Sequence, residues 1–165
     1  MSGIATQTAK YAEALKGYKT KVLDTRKTTP GLRMLEKQAV KIGGGVNHRI
    51  GLFDMILLKD NHIDFAGGIE NAIRNAQNYI QEKGKNLKIE IEVRNFDELN
   101  EVLRIGGVDR IMLDNFTPEK TKEAVELIMT GACGTFSEQL LECFRIALPE
   151  FERIERNNNS HTGYD

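Results

Sequence analysis

Residues 41–62 read KIGGGVNHRIGLFDMILLKDNH, and this stretch decides the predicted fold. It contains three consecutive glycines, a His-Arg pair, a short apolar run and a Lys-Asp-Asn-His run, and it holds two of the chain's three histidines. The apolar run MILL at residues 55–58 is typical of a strand that is buried on both faces of a parallel sheet. Because cationic residues flank that run, the stretch predicts a buried strand that opens into an anion-binding pocket.

Strand-like and helix-like patterns alternate along the rest of the chain. Strands are predicted at residues 21–25, 54–58, 87–93 and 110–114, and helices at residues 3–16, 32–42 and 68–83, after Asn95 or Asp97, and from Thr117 onward. Short connections between alternating elements predict parallel strands with helices outside. The predicted strands end in charged residues, and catalytic residues of α/β barrels collect at that end. The predicted fold class is therefore a partial α/β barrel, a (β/α) barrel with parallel strands.

Three of these segments carry specific expectations about their side chains. The strand at residues 87–93 alternates, with Glu90 and Glu92 on the face opposite to its aliphatic side chains. Ser2 is expected to cap the first helix. The helix at residues 32–42 is predicted to present one apolar face, formed by Leu32, Leu35, Ala39 and Ile42.

Composition places the chain among ordinary globular proteins and excludes several classes of function. It has 165 residues, of which 40% are hydrophobic and 28% charged, and its net charge of −1 predicts no attraction to nucleic acid or acidic membranes. No apolar run is long enough to span a bilayer, and neither GxGxxG nor GxxxxGK[ST] is present. Cys133 and Cys143 form no CxxC motif, which indicates reduced thiols in a cytoplasmic protein.

Two loops supply candidate anion ligands. Residues 24–33 read DTRKTTPGLR, where Arg26, Lys27 and Arg33 could form a carboxylate or phosphate cradle at a helix start. The alternative is that Arg26 and Lys27 lie in a solvated loop. Their position after a predicted strand favours the cradle. The glycines at residues 43–45 either end a helix or let the backbone approach a ligand held by His48 and Arg49. Arg49 could grip a planar carboxylate with two hydrogen bonds, whereas His48 could equally be a packed histidine.

Charged residues at three predicted strand ends are candidates for catalysis. Lys59 could be an electrostatic clamp on phosphate, a Schiff-base nucleophile or a lysine that reaches solvent from a strand end. Glu92 and Asp114 could hold sugar hydroxyls, or Mg²⁺ through substrate phosphates, or steady positive charge in a transition state. The alternative for these acids is an ion pair with Lys59 or Arg26. Glu90 is predicted to be structural.

Five motifs, DTRKTTPGLR, GGGVNHR, LLKDNH, IEIEV and MLDNF, occur in this order within residues 2–128. Together they resemble the quinolinate phosphoribosyltransferases, also called carboxylating nicotinate-nucleotide pyrophosphorylases. The resemblance implies transfer of a phosphoribosyl group from phosphoribosyl pyrophosphate to quinolinate with decarboxylation. The products would be nicotinate mononucleotide, CO₂ and pyrophosphate, in de novo NAD biosynthesis. Mg²⁺ is the implied cofactor, and a homodimer or higher homo-oligomer is implied for the complete enzyme.

The resemblance also implies a role for each motif residue. The implied catalytic residues are Lys59, between quinolinate and the phosphoribosyl donor, and Glu92 and Asp114, which would serve the ribose hydroxyls and, through substrate, the metal. The cations of the two loops would bind the two carboxylates of quinolinate. The implied substrate-binding residues of the loops are Thr25, Arg26, Lys27, His48 and Arg49.

Two parts of the family pattern are not recognisable in this sequence. The family has an amino-terminal domain before the region where this chain starts, and two later loops that bind the donor's phosphates. Neither of these loops is recognisable after Ile128. We therefore expect residues 1–128 to form an incomplete barrel domain without the final barrel strands. Residues 129–165 are expected to be a divergent segment, with a helix at residues 136–147 and a disordered tail from Glu152. A frameshifted or truncated reading frame would account for this ending.

Three other functions compete with that enzyme. The first is a related barrel phosphoribosyltransferase of different specificity, such as the molybdenum-transport-associated paralogues. The second is a non-catalytic fragment that associates with a complete subunit. The third is a Schiff-base aldolase that uses Lys59. The paired cations of the two loops favour a dicarboxylic acid as the substrate.

Overall fold

The computed structural model describes residues 1–131 of the chain. The predicted helix at residues 136–147 and the predicted tail from Glu152 lie outside the described residues. Within residues 1–131, six helices and three strands follow one another in the order α1 (Ser2–Ala14), α2 (Arg33–Ile42), β1 (Ile56–Leu58), α3 (Asp60–Ala66), α4 (Ile69–Lys83), β2 (Ile89–Val93), α5 (Phe96–Ile105), β3 (Arg110–Leu113) and α6 (Pro118–Gly131). No helix in this part of the chain is long and apolar enough to cross a bilayer.

The three strands form one parallel sheet in the order β1-β2-β3. Ile56 pairs with Ile89, and Ile91 pairs with Ile111, so the apolar side chains of neighbouring strands lie in the same rows. Helices α4 and α5 connect the strands, and their inner faces pack against the sheet around the fully buried Ile73 and Leu99. The prediction of parallel strands with helices outside is confirmed.

The predicted strand at residues 21–25 is present only as an isolated parallel bridge. Leu23 pairs with Val46, the amide of Val46 donates to the carbonyl of Val22 at 2.8 Å, and the amide of Asp24 donates to the carbonyl of Val46 at 3.2 Å. The chain leaves the pairing on both sides of Val46, because a glycine turn precedes it and an irregular loop follows. This single bridge nevertheless joins the two cationic loops side by side.

Helix α2 buries a different face from the one its apolar residues predict. Leu35 and Ile42 are 55% and 71% exposed, and Leu32 is exposed as well, whereas Lys37 and Ala39 are 2% exposed. The inward side of the helix therefore carries a lysine, because that lysine reaches a buried carboxylate in the neighbouring loop. The predicted apolar face is wrong as a core-facing surface, except at Ala39.

All five residues of β2 are buried, including both of its glutamates. The predicted alternation holds along the strand, but the face that carries Glu90 and Glu92 is covered rather than exposed to solvent. Residues of parallel strands that pair in register point to the same side of the sheet. The same side therefore presents Leu57 of β1 and Met112 of β3 beside the two glutamates.

Helix ends explain the remaining differences between prediction and structure. The sequence does not predict helix α3, because seven residues are too few for a periodic signal. Lys59 caps this helix, and the amide of Lys59 donates to Nδ1 of His62 at 3.0 Å. Asn95 rather than Asp97 caps α5, through a hydrogen bond from the amide of Glu98 to its Oδ1 at 2.9 Å. Met1 occupies the cap position of α1, so the expected cap by Ser2 is wrong.

The three consecutive glycines serve helix packing. A Cβ atom on Gly43 would lie 2.4 Å from the carbonyl oxygen of Ala5 and 2.6 Å from Cβ of Thr8, both in α1. A Cβ atom on Gly45 would lie 2.9 Å from the side chain of Thr8. These contacts favour the view that the glycines end α2 and let α1 approach it, rather than that they bring backbone to a ligand.

We predict that Gly43→Ala destabilises the domain. The added methyl group meets backbone of α1, which cannot give way as a flexible side chain would, and overpacking of this kind costs about 1–3 kcal/mol. Urea unfolding followed by circular dichroism measures the change. Gly3→Ala is the matched control, because nothing lies within 4 Å of its Cβ position in α1. An equal effect of the two substitutions would contradict this account of the glycines.

Candidate active site

One cavity brings together six of the eight predicted site residues. Its volume is about 170 Å³. It lies against the glutamate-bearing side of the sheet, where Leu57, Glu90 and Met112 form its floor. The predicted residues that line it are Thr25, Arg26, Lys27, His48, Arg49 and Lys59. The other two, Glu92 and Asp114, do not line this cavity.

Arg26 and Arg49 lie close together in the cavity wall. Nε of Arg26 is buried and has no hydrogen-bond partner. Burial, followed by the nearby charge of Arg26, lowers the pKa of Arg49 below its ordinary value, and the acids Glu90 and Asp54 oppose this shift. Among the ion pairs within residues 1–131 neither guanidinium takes part, although Glu90 and Asp54 act on Arg49 at longer range. Two like charges held together in this way favour an anionic ligand.

His48 is tied to a buried glutamate. Its Nε2 lies 2.7 Å from Oε2 of Glu90, and both side chains are almost fully buried. Glu90 is thus a supporting residue, as its position in the strand suggested, because it orients the imidazole from the floor of the cavity. His48 lines the cavity and is also packed, so it fits both interpretations that the sequence left open, a histidine that holds a ligand and a packed histidine.

Lys59 pairs with Glu92 at the mouth of the cavity. The distance from Nζ to Oε2 is 2.8 Å, and the lysine side chain is 41% exposed. The expected alternative for Glu92, an ion pair with Lys59, is therefore present. The amine of Lys59 lies in the same cavity as both arginines, so this ion pair marks one end of the cationic surface.

Asp114 lies at the end of β3 and outside the lining of this cavity. Its Oδ2 accepts a hydrogen bond from Nδ2 of Asn115 at 2.8 Å. Asn115 has a left-handed backbone with φ of 59°, which asparagine tolerates better than most residues and which occurs often at functional strand ends. The structure therefore places the two predicted catalytic acids on neighbouring strand ends but joins only Glu92 to the cavity, through Lys59.

Sequence reasoning missed Asp24 and Lys37, which help to hold the two loops together, and it took Arg33 for the third cation of the ligand cradle. Asp24 lines the cavity and pairs with Lys37 of α2. One turn earlier in α2, Arg33 donates to the hydroxyl of Thr28 and to the carbonyls of Arg26 and Ile50, so it supports the loops rather than a ligand. The available signal for Lys37 was its position four residues after Arg33, on the helix that follows the loop beginning at Asp24.

The fold and this cavity together define a parallel-stranded α/β domain with a cationic cavity beside its strands. Residues 4–142 match the family described as quinolinate phosphoribosyl transferase, C-terminal domain, and the chain belongs to this family. The match extends beyond residue 128, the predicted end of the resemblance. The resemblance seen in the five motifs is confirmed.

Relatives with known names and structures agree with this membership. The nicotinate-nucleotide pyrophosphorylase [carboxylating], chloroplastic, of Arabidopsis thaliana is 46% identical over 142 residues, which cover 78% of this chain and 40% of that protein. The quinolinate phosphoribosyltransferase [decarboxylating] 2, mitochondrial, of Nicotiana glauca is 44% identical, with the same coverage. The solved nicotinate-nucleotide pyrophosphorylase from Francisella tularensis is 47% identical with a TM-score of 0.72, and the likeness covers 82% of this chain and 45% of that one.

These comparisons support the predicted fold class and show how much of its relatives' length this chain spans. The likeness to a solved member of the family confirms a parallel-stranded portion of the family's barrel. The chain spans 40 to 45% of the length of the relatives it matches. Family and fold are therefore established for this chain, whereas the activity of the longer relatives is a separate question.

We predict that Asp54 makes the domain more stable above acidic pH. Its carboxylate accepts the amides of Ile50 and Gly51 at 2.7 and 2.8 Å, just after the His-Arg pair. Although desolvation opposes them, these hydrogen bonds lower the pKa of Asp54 below its ordinary value. When a carboxyl has a lower pKa in the folded state than in the unfolded state, its ionised form stabilises the fold at pH values above the unfolded-state pKa. This contribution is lost as the pH falls through the folded-state pKa.

Thermal melting of Asp54→Asn measures that contribution. The variant should melt below the parent at about pH 7, and the difference should shrink as the pH falls below the ordinary pKa of an aspartate, about 3.9. Glu82→Gln, on an exposed part of α4, is the matched control and should follow the parent at every pH. A constant difference between Asp54→Asn and the parent across this range would refute the assignment.

Proposed function

We propose that this chain forms the quinolinate-binding part of a carboxylating nicotinate-nucleotide pyrophosphorylase, a pentosyltransferase of NAD biosynthesis. In that reaction the phosphoribosyl group of phosphoribosyl pyrophosphate passes to quinolinate. The observation that carries the proposal is the pair of guanidiniums of Arg26 and Arg49, which share one cavity and have no carboxylate partner within residues 1–131. A planar dicarboxylate matches two forked cations better than a single phosphate does.

The rest of the cavity suits a pyridine dicarboxylate. Leu57 and Met112 offer an apolar floor for an aromatic ring, and Thr25, whose Oγ1 accepts the amide of Lys27 at 3.0 Å, lines the wall with the cations. We propose that Lys27, Arg26, His48 and Arg49 share the two carboxylates. Their fixed positions would hold the pyridine nitrogen toward Lys59, so the protein's contribution is mainly orientation and charge placement.

The donor is proposed to lie on the far side of Lys59. Glu92 and Asp114, on neighbouring strand ends, are proposed to hold the ribose hydroxyls. The pyridine nitrogen would then form a bond to the anomeric carbon as pyrophosphate leaves with its bonding electron pair. Positive charge develops at that carbon, and the carboxylate of Glu92 would stabilise it. One carboxylate of the product then leaves as CO₂, and a proton replaces it on the ring.

Mg²⁺ is proposed to enter bound to the donor. Carboxylate oxygens are suitable magnesium ligands, and Glu92 and Asp114 are the two candidates, but no group of three or more His, Cys, Asp or Glu in residues 1–131 could hold a metal ion. The donor's own phosphates would therefore supply most of the ligands. When bound, the ion would neutralise charge on the departing pyrophosphate.

Two broader features, the oligomeric state and the site of action, are also proposed. A homodimer or higher homo-oligomer is proposed for the complete enzyme from the family resemblance. A cytoplasmic site of action is proposed from the two cysteines, which form no CxxC motif. The ion pair between Lys59 and Glu92 suits an electrostatic clamp, so a Schiff-base aldolase is not supported by this geometry.

We predict that the purified chain binds quinolinate and that Arg49→Met weakens this binding by about ten- to a hundredfold. A hydrogen bond to a charged group contributes about 1.5–3 kcal/mol, which corresponds to such a change. Isothermal titration calorimetry measures the dissociation constant. Arg104→Met removes an exposed arginine of α5 and is the matched control, which should bind like the parent.

A second measurement separates binding from turnover. Nicotinate mononucleotide is assayed with and without Mg²⁺ and phosphoribosyl pyrophosphate. Binding with turnover supports the full activity, whereas binding without turnover supports a non-catalytic fragment that keeps the quinolinate site. If the parent does not bind quinolinate and Arg49→Met behaves like the parent, the proposed site is wrong for this chain. Tighter binding of a different anion would point to the related phosphoribosyltransferases.

A further inference from the structure

We propose that Lys37 is a positioning residue: from outside the cavity it pairs with Asp24 and thereby prevents that carboxylate from competing with the ligand for Arg26 and Arg49. The inference rests on the proposed function only for the identity of the ligand. It concerns a side chain that lies behind the wall of the cavity, and it explains why a helix of this domain buries a lysine.

Lys37 is almost completely buried and has two partners. Its side chain is 2% exposed, and its Nζ donates to Oδ1 of Asp24 and, at 3.3 Å, to the backbone carbonyl of His48. Lys37 does not line the cavity, whereas Asp24 and His48 both do. The ammonium group therefore acts on the cavity through these two residues.

Asp24 uses its carboxylate to join the two cationic loops. Oδ1 accepts the backbone amide of His48 at 2.8 Å. The side-chain amide of Asn47, turned so that its nitrogen faces oxygens, donates to Oδ2 of Asp24 and to the carbonyl of Lys37, both at 2.9 Å. Because Asp24 directly precedes Thr25, this one carboxylate sets the spacing between the cations of the two loops.

An unpaired carboxylate at this position would weaken the site. Asp24, Arg26 and Arg49 all line this cavity, and neither guanidinium takes part in an ion pair in the described part of the chain. A buried carboxylate that loses its partner seeks the nearest cation, because leaving a charge unpaired is costly. Without Lys37, Asp24 would therefore occupy the groups that are proposed to bind the ligand.

Stability alone does not explain this ion pair. Replacing a buried ion pair by well-packed neutral residues is often neutral or stabilising, so burial of Lys37 and Asp24 is weak support for a stabilising role. A role in the charge of the cavity predicts a different pattern. Removal of Lys37 alone should harm ligand binding, and removal of both charges should restore it.

The experiment compares Lys37→Gln with the double variant Asp24→Asn/Lys37→Gln. Glutamine keeps hydrogen-bonding capacity but loses the charge, and asparagine keeps an oxygen for the amide of His48. Lys37→Gln should weaken quinolinate binding by at least about tenfold in calorimetry, whereas the double variant should bind within about threefold of the parent. Nicotinate, which has one carboxylate, should be affected less than quinolinate. Lys41→Gln, at an exposed position of α2, is the matched control.

A second readout does not depend on the identity of the ligand. Phenylglyoxal modifies arginines, and a carboxylate that pairs with a guanidinium slows this reaction. Mass spectrometry of peptides that contain Arg26 or Arg49 should therefore show slower labelling in Lys37→Gln and parental labelling in the double variant. Labelling of Arg104 should not change. Because this readout needs no ligand, it tests the inference even if the parent fails to bind quinolinate and the proposed function is wrong.

Each result supports or overturns the inference. Unchanged arginine labelling in folded Lys37→Gln overturns it. A double variant that melts like the parent but labels slowly, or binds quinolinate as weakly as Lys37→Gln does, also overturns it, because no acid then remains to compete. If Lys37→Gln does not fold, the arginine labelling and the quinolinate binding of the double variant decide whether the inference holds. Restored labelling together with restored binding supports it.

Discussion

The pairing of each acid with a separate base determines the chemistry of this cavity. Asp24 pairs with Lys37, Glu90 with His48, and Glu92 with Lys59. Since every one of these carboxylates has a partner, the guanidiniums of Arg26 and Arg49 are left for the ligand that we propose. In a cavity whose lining includes buried charges, this distribution of partners matters more than the net number of charges, because unpaired buried charges interact strongly.

The parallel sheet provides the geometry for this pairing. Glu90 and Glu92 alternate with aliphatic residues along β2, and register pairing places Leu57 and Met112 beside them. One side of the sheet thus packs against α4 and α5, while the other combines an apolar floor with two acids. An aromatic ring and its carboxylates need both kinds of surface at once.

The packing of α1 against α2 supports the site from behind. Gly43 allows the close approach of α1, and α2 in turn presents Arg33 and Lys37 to the two loops. The loops themselves share a single bridge between Leu23 and Val46. Their relative position therefore depends on side-chain hydrogen bonds from one helix, which makes α2 more important to the site than its sequence suggests.

The sequence by itself determined the alternating order of elements, the parallel sheet and the motif residues of the family. These follow from local patterns, since apolar runs, caps and glycines act over a few residues. Only the tertiary structure decided that Lys37 lies inside and Leu35 outside, that Glu90 supports His48, and that Asp114 lies apart from the cavity. A buried ion pair joins residues distant in sequence, and the choice of its partners depends on which loops the fold brings together.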